Sequence, residues 1–189
     1  MSGFRLINVD MHRDWLTPTF LLITLTALGW SQTVVALSLL FWKKARPYVV
    51  PLLLGDLFAG FVIADGVKAC FHRERPSNLS WAIVGQPLYG DSSFPSGHSA
   101  TAFGVAFTVW FLTRKTERAW IGQLALVWAV LVGISRIYLG VHWPTDVVAG
   151  AFAGLAGASA VMLVRPGGWL KREEGEDRAG MDGPIQNPK

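Results

Sequence analysis

Long apolar blocks alternate with short polar joints along this 189-residue chain. No charged residue falls between Asp14 and Lys43, between Arg118 and Arg136, or between Asp146 and Arg165. Between Asp91 and Arg114 the only ionisable group is His98. A helix needs roughly 20 apolar residues to cross a bilayer core, and these blocks come near that length. The pattern predicts spans over 16–42 (with a break near Gly29), 48–70, 96–113, 119–138 and 144–164. The expected fold class is all-α, a polytopic membrane helical bundle of five transmembrane helices, or six if the broken first block counts twice. The competing reading, buried helices of a soluble protein, does not explain the block lengths or their flanks.

Those flanks are aromatic and basic. Trp15 and Trp42 bracket the first block, Trp110 and Trp120 the turn between two later ones, and Trp143 and Trp169 the last. Trp favours the headgroup region, where its ring is half buried and its N–H stays wet. Residues 1–15 read as an interfacial N-terminal segment, with Phe4, Leu6, Ile7 and Met11 on a short surface helix, or else as a frayed terminus. Residues 16–165 form the membrane-embedded domain. Residues 166–189, rich in Glu, Gly and Pro, read as a disordered cytoplasmic tail. The last span carries Ala149, Gly150, Ala153, Gly154, Ala156 and Gly157, small residues that let membrane helices pack closely. Asp56 and Asp65, costly in lipid, are expected to face the protein interior.

The chain is 51% hydrophobic and 16% charged, with a net charge of +4 that is spread out. With no basic stripe, a nucleic-acid role has no support. The single Cys70 cannot form an internal disulfide and reads as buried filler. The first 14 residues are too polar for a cleavable signal peptide. Lys43, Lys44, Arg46, Arg114, Lys115, Arg118, Arg165, Lys171 and Arg172 fall on one face of an alternating five-span chain. Because positive residues stay in the cytoplasm, the opposite face, with the 71–95 loop and the 139–143 connection, is expected to be extracytoplasmic.

That outer face collects the chemistry. Lys68 and Arg75 stand seven residues apart, about two helical turns, and so would share one helix face, which Pro76 would end. Arg75 suits a bidentate grip on phosphate oxygens, Lys68 acts as a point charge held by Asp65, and Arg136 adds a third cation. Pro95-Ser96-Gly97-His98 opens a span, where free N–H groups and the helix dipole favour an anion. An ionisable residue such as His98 at the mouth of a span is functional by default. His142 and Asp146 are four apart around Pro144, a residue favoured in a first helical turn. Asp146 can then accept a proton from one His142 nitrogen and leave the other free to attack phosphorus, with His98 as general acid. Two histidines and a carboxylate can also form a metal site, but three neighbouring cations would repel the ion. Neither metal nor cofactor is expected.

The pattern Lys68-x6-Arg75-Pro76, Pro95-Ser96-Gly97-His98 and Ser135-Arg136-x5-His142-x3-Asp146 resembles the three-part signature of the type 2 phosphatidic acid phosphatase superfamily, with every position filled. The resemblance implies His142 as nucleophile, Asp146 as its partner and His98 as acid and base. It further implies Lys68, Arg75, Ser96, Gly97 and Arg136 as phosphate binders. That superfamily also includes soluble vanadium haloperoxidases with the same pocket, a branch the membrane blocks argue against. Membrane lipids and a lipid phosphate are the expected partners. The resemblance implies undecaprenyl diphosphate, or phosphatidylglycerophosphate or phosphatidic acid, as substrate. A non-catalytic transporter or scaffold is the rival of another class. The oligomeric state is not fixed by any of these features.

Overall fold

In a computed structural model of the chain, residues 2–87 and 92–164 are described. Arg165 and the expected tail at 166–189, with Trp169, lie outside them, as do Leu88 and Tyr89. Among the described residues the regular structure is entirely helical. After N-terminal turns at Ser2–Arg5, Leu6–Asp10 and Asp14–Leu16 come α1 (Thr17–Leu25) and α2 (Gly29–Ser38). The third helix, α3, runs from Arg46 to Cys70 with a π-helical stretch over Leu57–Ala64. Then follow α4 (Gly97–Thr113), α5 (Ala119–Tyr138) and α6 (Pro144–Val164).

The helical segments stand at the predicted positions. By length and composition α3, α5 and α6 can each cross a membrane. The bent pair Asp14–Leu25 and Gly29–Phe41 makes a fourth crossing if counted as one span. The two halves of that pair meet at 61°. The bend falls just before Gly29, where Leu28 adopts an extended ψ of 137° and the Thr26 hydroxyl turns back to donate to the Ile23 carbonyl at 2.7 Å. At 17 residues α4 is shorter than α3, α5 and α6 and fills the middle, packed mainly against α5 and α6. Its Ala100, Ala102 and Ala106 are fully buried.

Close approach of backbones holds the centre together. A Cβ on Gly154 would sit 2.6 Å from Phe103 Cβ, and one on Gly157 would sit 2.7 Å from the Ala59 nitrogen. The small residues of α6 therefore form the face that meets α4 and α3, the arrangement by which membrane helices gain dispersion energy without a hydrophobic driving force. The outward faces are apolar: Phe41, Phe61, Phe152 and Leu163 are among the most exposed large side chains, as a lipid-facing surface requires. Trp15, Trp42 and Trp120 are exposed at helix ends.

Three local expectations are corrected, and one of the two readings of the N-terminal segment falls. The α3 helix ends at Cys70, not at Pro76, and Phe71 is already extended (φ −124°, ψ 119°). Arg75 is extended as well, as the residue before a proline prefers, so Lys68 and Arg75 do not share a helix face. Asp65 does not point inward. Its side chain is 57% exposed at the end of the bundle, where it pairs with Lys68 at 3.9 Å. Cys70, in that same last turn, is exposed rather than buried. The N-terminal segment is not frayed. Phe4 and Asn8 are buried, and Asn8 is tied to the Ile83 main chain at 2.7 and 2.9 Å and to the Tyr138 carbonyl at 2.8 Å.

Candidate active site

Three chain segments converge at one end of the bundle, and main-chain hydrogen bonds fasten them. The Ser93 N–H donates to the Arg73 carbonyl at 2.8 Å, joining the segment after α3 to the one before α4. The Ser96 N–H donates to the Asp146 carbonyl at 3.0 Å, joining the start of α4 to the start of α6. The Lys68 ammonium lies beside Gly97, within 3.8 Å of where a Cβ would stand.

His142 is delivered by the way α5 ends. The carbonyl of Arg136 accepts the N–H groups of both Val141 and His142, and Gly140 between the helices has φ +75°. That left-handed conformation is open to glycine at little cost. A Cβ at Gly140 would also run into the Ile83 carbonyl. Pro144 then starts α6, and the Asp146 side chain reaches back to accept the Trp143 N–H at 2.8 Å, the acidic half of a capping box.

The His142 imidazole is 3% exposed. Its Nδ1 lies 2.8 Å from the Ser93 carbonyl oxygen. A carbonyl only accepts, so Nδ1 carries the proton and Nε2 keeps its lone pair. Nε2 faces the Arg75 guanidinium, with Nη1 at 3.5 Å. Burial, reinforced by Arg136 and Arg75, pushes the His142 pKa down to about 4, against the opposing pull of Asp146. The imidazole is therefore neutral at physiological pH.

Asp146 does not bond His142 as the spacing suggested. Its Oδ2 stays 3.7 Å from Nδ1, beyond hydrogen-bond length. Three other donors hold the carboxylate: the Trp143 N–H, the Ser93 hydroxyl in a short hydrogen bond, and Arg73 Nη1 at 2.6 Å. The Ser93 carbonyl has taken the position at Nδ1 that the spacing assigned to Asp146.

The cations are anchored differently from one another. Arg75 donates to the carbonyls of Val141 (3.0 Å) and Ser92 (3.1 Å), which orients its plane toward His142. Arg136 donates through Nη1 to Thr24 (2.6 Å) and Gln86 (3.0 Å), while its buried Nε has no partner among the described residues. Ser96 serves as the N-cap of α4, accepting from the Ser99 N–H at 3.4 Å and the Ser99 hydroxyl at 3.0 Å. Its own hydroxyl proton is left for another acceptor. His98, in the first turn of α4, lies within electrostatic reach of Arg136, His142, Lys68 and Arg75.

All eight residues singled out from the sequence thus gather at one end of the bundle. The sequence reading missed Arg73 and Ser93, and it missed Thr24 and Gln86 behind Arg136. Arg73 sits inside the first basic segment and could have been found as its unassigned cation. Ser93 carries no local signal.

A helical membrane bundle with a buried imidazole facing fixed guanidinium groups defines a membrane-embedded protein built to meet an anion. The chain belongs to the PAP2 superfamily, whose profile matches residues 20–169. It is 41% identical over 169 residues to the Escherichia coli protein YbjG, whose name gives undecaprenyl-diphosphatase as a provisional activity; the match covers 87% of this chain and 81% of that one. It is 36% identical over 120 residues to a lipid A 4'-phosphatase of Bacteroides thetaiotaomicron, covering 60% of this chain and 52% of the relative. Among solved structures, a transmembrane PAP2-type phosphatidylglycerolphosphate phosphatase from Bacillus subtilis superposes with a TM-score of 0.64 at 30% identity, covering 85% of this chain and 83% of that one.

Proposed function

We propose that the protein is an integral membrane lipid phosphatase that hydrolyses a lipid diphosphate, undecaprenyl diphosphate first among them, to the lipid monophosphate and inorganic phosphate. The observation that carries the chemistry is the His142 ring, with Nδ1–H held by the Ser93 carbonyl and a bare Nε2 facing Arg75. Nε2 attacks the terminal phosphorus, the bond from phosphorus to the bridging oxygen breaks, and a phospho-histidine forms. His98 delivers a proton to the departing oxygen. Water then attacks the phosphorus, His98 takes its proton, and the P–N bond breaks to release phosphate and restore the imidazole. Lys68, Arg75, Arg136 and the N–H groups around Ser96 and Gly97 stabilise charge on the equatorial oxygens. With that charge met by fixed cations, the reaction needs no metal. The excess of Lys and Arg on the opposite face supports a site opening to the extracytoplasmic side of the cell membrane.

Similarity to YbjG over most of both chains supports the undecaprenyl substrate. A second reading is a phosphatase of phosphatidylglycerophosphate or phosphatidic acid, and the Bacillus subtilis structural neighbour supports the first of these. The deciding experiment measures phosphate release by purified protein from undecaprenyl diphosphate, phosphatidylglycerophosphate, phosphatidic acid and a soluble phosphate ester, with and without EDTA. Highest kcat/KM on the first, insensitivity to EDTA and loss of turnover in His142→Ala are expected. Release from none of them would leave a non-catalytic membrane protein as the better reading.

A further inference from the structure

We infer that Ser93 is a positioning residue for His142: its carbonyl fixes the ring tautomer and its hydroxyl tempers the pull of the Asp146 carboxylate on the ring. The inference rests on His142 being the nucleophile of the proposed phosphatase. Its basis is that one residue touches both partners with both of its polar groups. The Ser93 carbonyl accepts Nδ1–H at 2.8 Å, and the Ser93 hydroxyl donates to Asp146 Oδ2 while lying 3.5 Å from Nδ1. A direct hydrogen bond between carboxylate and imidazole is absent at 3.7 Å. Ser93 is fully buried, so no water competes for either bond.

The arrangement divides two tasks that a direct carboxylate–imidazole bond would combine. The carbonyl sets the tautomer, since it can only accept. The hydroxyl, by donating to Oδ2, draws charge away from the ring and limits how strongly Asp146 favours the imidazolium. Arg73 does the same at Oδ1, at 2.6 Å. On the other side His142 meets Arg75 and lies within electrostatic reach of Arg136 and His98. Lys68, beside Gly97, completes the charged groups around it. The imidazole is thereby kept neutral in front of an anionic substrate, with its reactive lone pair aimed by a main-chain atom.

Ser93→Ala removes the hydroxyl and keeps the carbonyl, so the two tasks can be tested apart. Because the carbonyl that aims the ring loses its side-chain anchor on Asp146, the variant is expected to lose about tenfold or more in kcat with KM changed by less than about twofold. Ser93→Thr, which restores the hydroxyl, is expected to recover most of the rate. With one donor removed from Oδ2, the carboxylate favours the imidazolium more strongly, so the acid limb of kcat/KM is expected to move to higher pH in Ser93→Ala and back in Ser93→Thr. Titration of 15N-labelled histidines by NMR in detergent, with His142 assigned through His142→Gln, reads the same shift without turnover. It is expected to show Nδ1 protonated at neutral pH in both wild type and Ser93→Ala. An unshifted His142 titration in Ser93→Ala would overturn the inference, as would a proton on Nε2 in the wild type. If the wild type hydrolyses no lipid phosphate, the phosphatase reading falls on that result, and the NMR titration still decides whether the Ser93 hydroxyl tempers the effect of Asp146 on His142.

Discussion

Arg73 Nη1 lies 2.6 Å from Asp146 Oδ1, across a sequence separation of 73 residues. The same nitrogen donates to the Thr145 hydroxyl at 2.7 Å, and the guanidinium lies over the Trp143 ring at 5.6 Å. The Asp146 side chain is fully buried while the Arg73 side chain is 40% exposed. The pair therefore joins a solvated cation to a carboxylate that has no access to water.

Removing that cation strips one of three donors from a buried charge. Arg73→Gln is expected to lower kcat by about tenfold to a hundredfold, leave KM for the lipid phosphate nearly unchanged, and cost about 1–3 kcal/mol of stability. That range lies below the roughly 3–5 kcal/mol for breaking a fully buried pair, because Arg73 is partly solvated. Steady-state kinetics beside a thermal melt would check it. A large rise in KM with kcat intact would instead make Arg73 a substrate contact.

The lowered His142 pKa sets a pH window. The folded-state value of about 4 lies below the ordinary 6.5, so the unfolded chain binds more protons between those values. Stability from this group is fully present above about 6.5, falls as pH drops toward 4, and is flat below that. The acid limb of kcat/KM, which reports the free enzyme, is expected near pH 4. A limb at 6.5 would place His142 in a solvated setting that this site does not have.

The buried Nε of Arg136, without a partner among the described residues, predicts a response to inorganic phosphate. Phosphate is expected to raise the melting temperature of the wild type, by an amount equivalent to about 2.7 kcal/mol at a hundred times its Kd. The effect should be much smaller in Arg136→Gln. Equal stabilisation of both proteins would show that the anion sits elsewhere.

Gly140→Ala tests the turn that delivers His142. The substitution combines a left-handed φ of +75° with a collision at the Ile83 carbonyl. It is expected to cost about 1–3 kcal/mol and to lower activity with it, as seen in a melt and an initial-rate assay.

What could be read from the chain followed range. The block lengths located the helices, because a span is a local property of some 20 residues. The spacing of His142, Pro144 and Asp146 announced a helix start, and Asp146 does lie in its first turn, bonded back to the Trp143 N–H. Partners across the fold were not legible. A separation of seven from Lys68 to Arg75 matches two helical turns, yet the chain leaves the helix at Phe71. A separation of four from His142 to Asp146 allows a hydrogen bond, yet Ser93 takes the position at Nδ1. Nothing near Ser93 in sequence tells it from Ser92, whose hydroxyl donates to the Phe71 carbonyl instead. Arg73 looked like one more basic residue because its carboxylate lies 73 positions away.

The two main-chain bonds that fasten the three segments, Ser93 to Arg73 and Ser96 to Asp146, involve no side-chain atom. Substitution can erase the reactive groups without untying them. A His142→Gln protein would still fold into a cradle with its cations in place, and so would retain a lipid phosphate it can no longer cleave. Such a protein would serve as a trap for pulling the natural substrate out of a membrane extract.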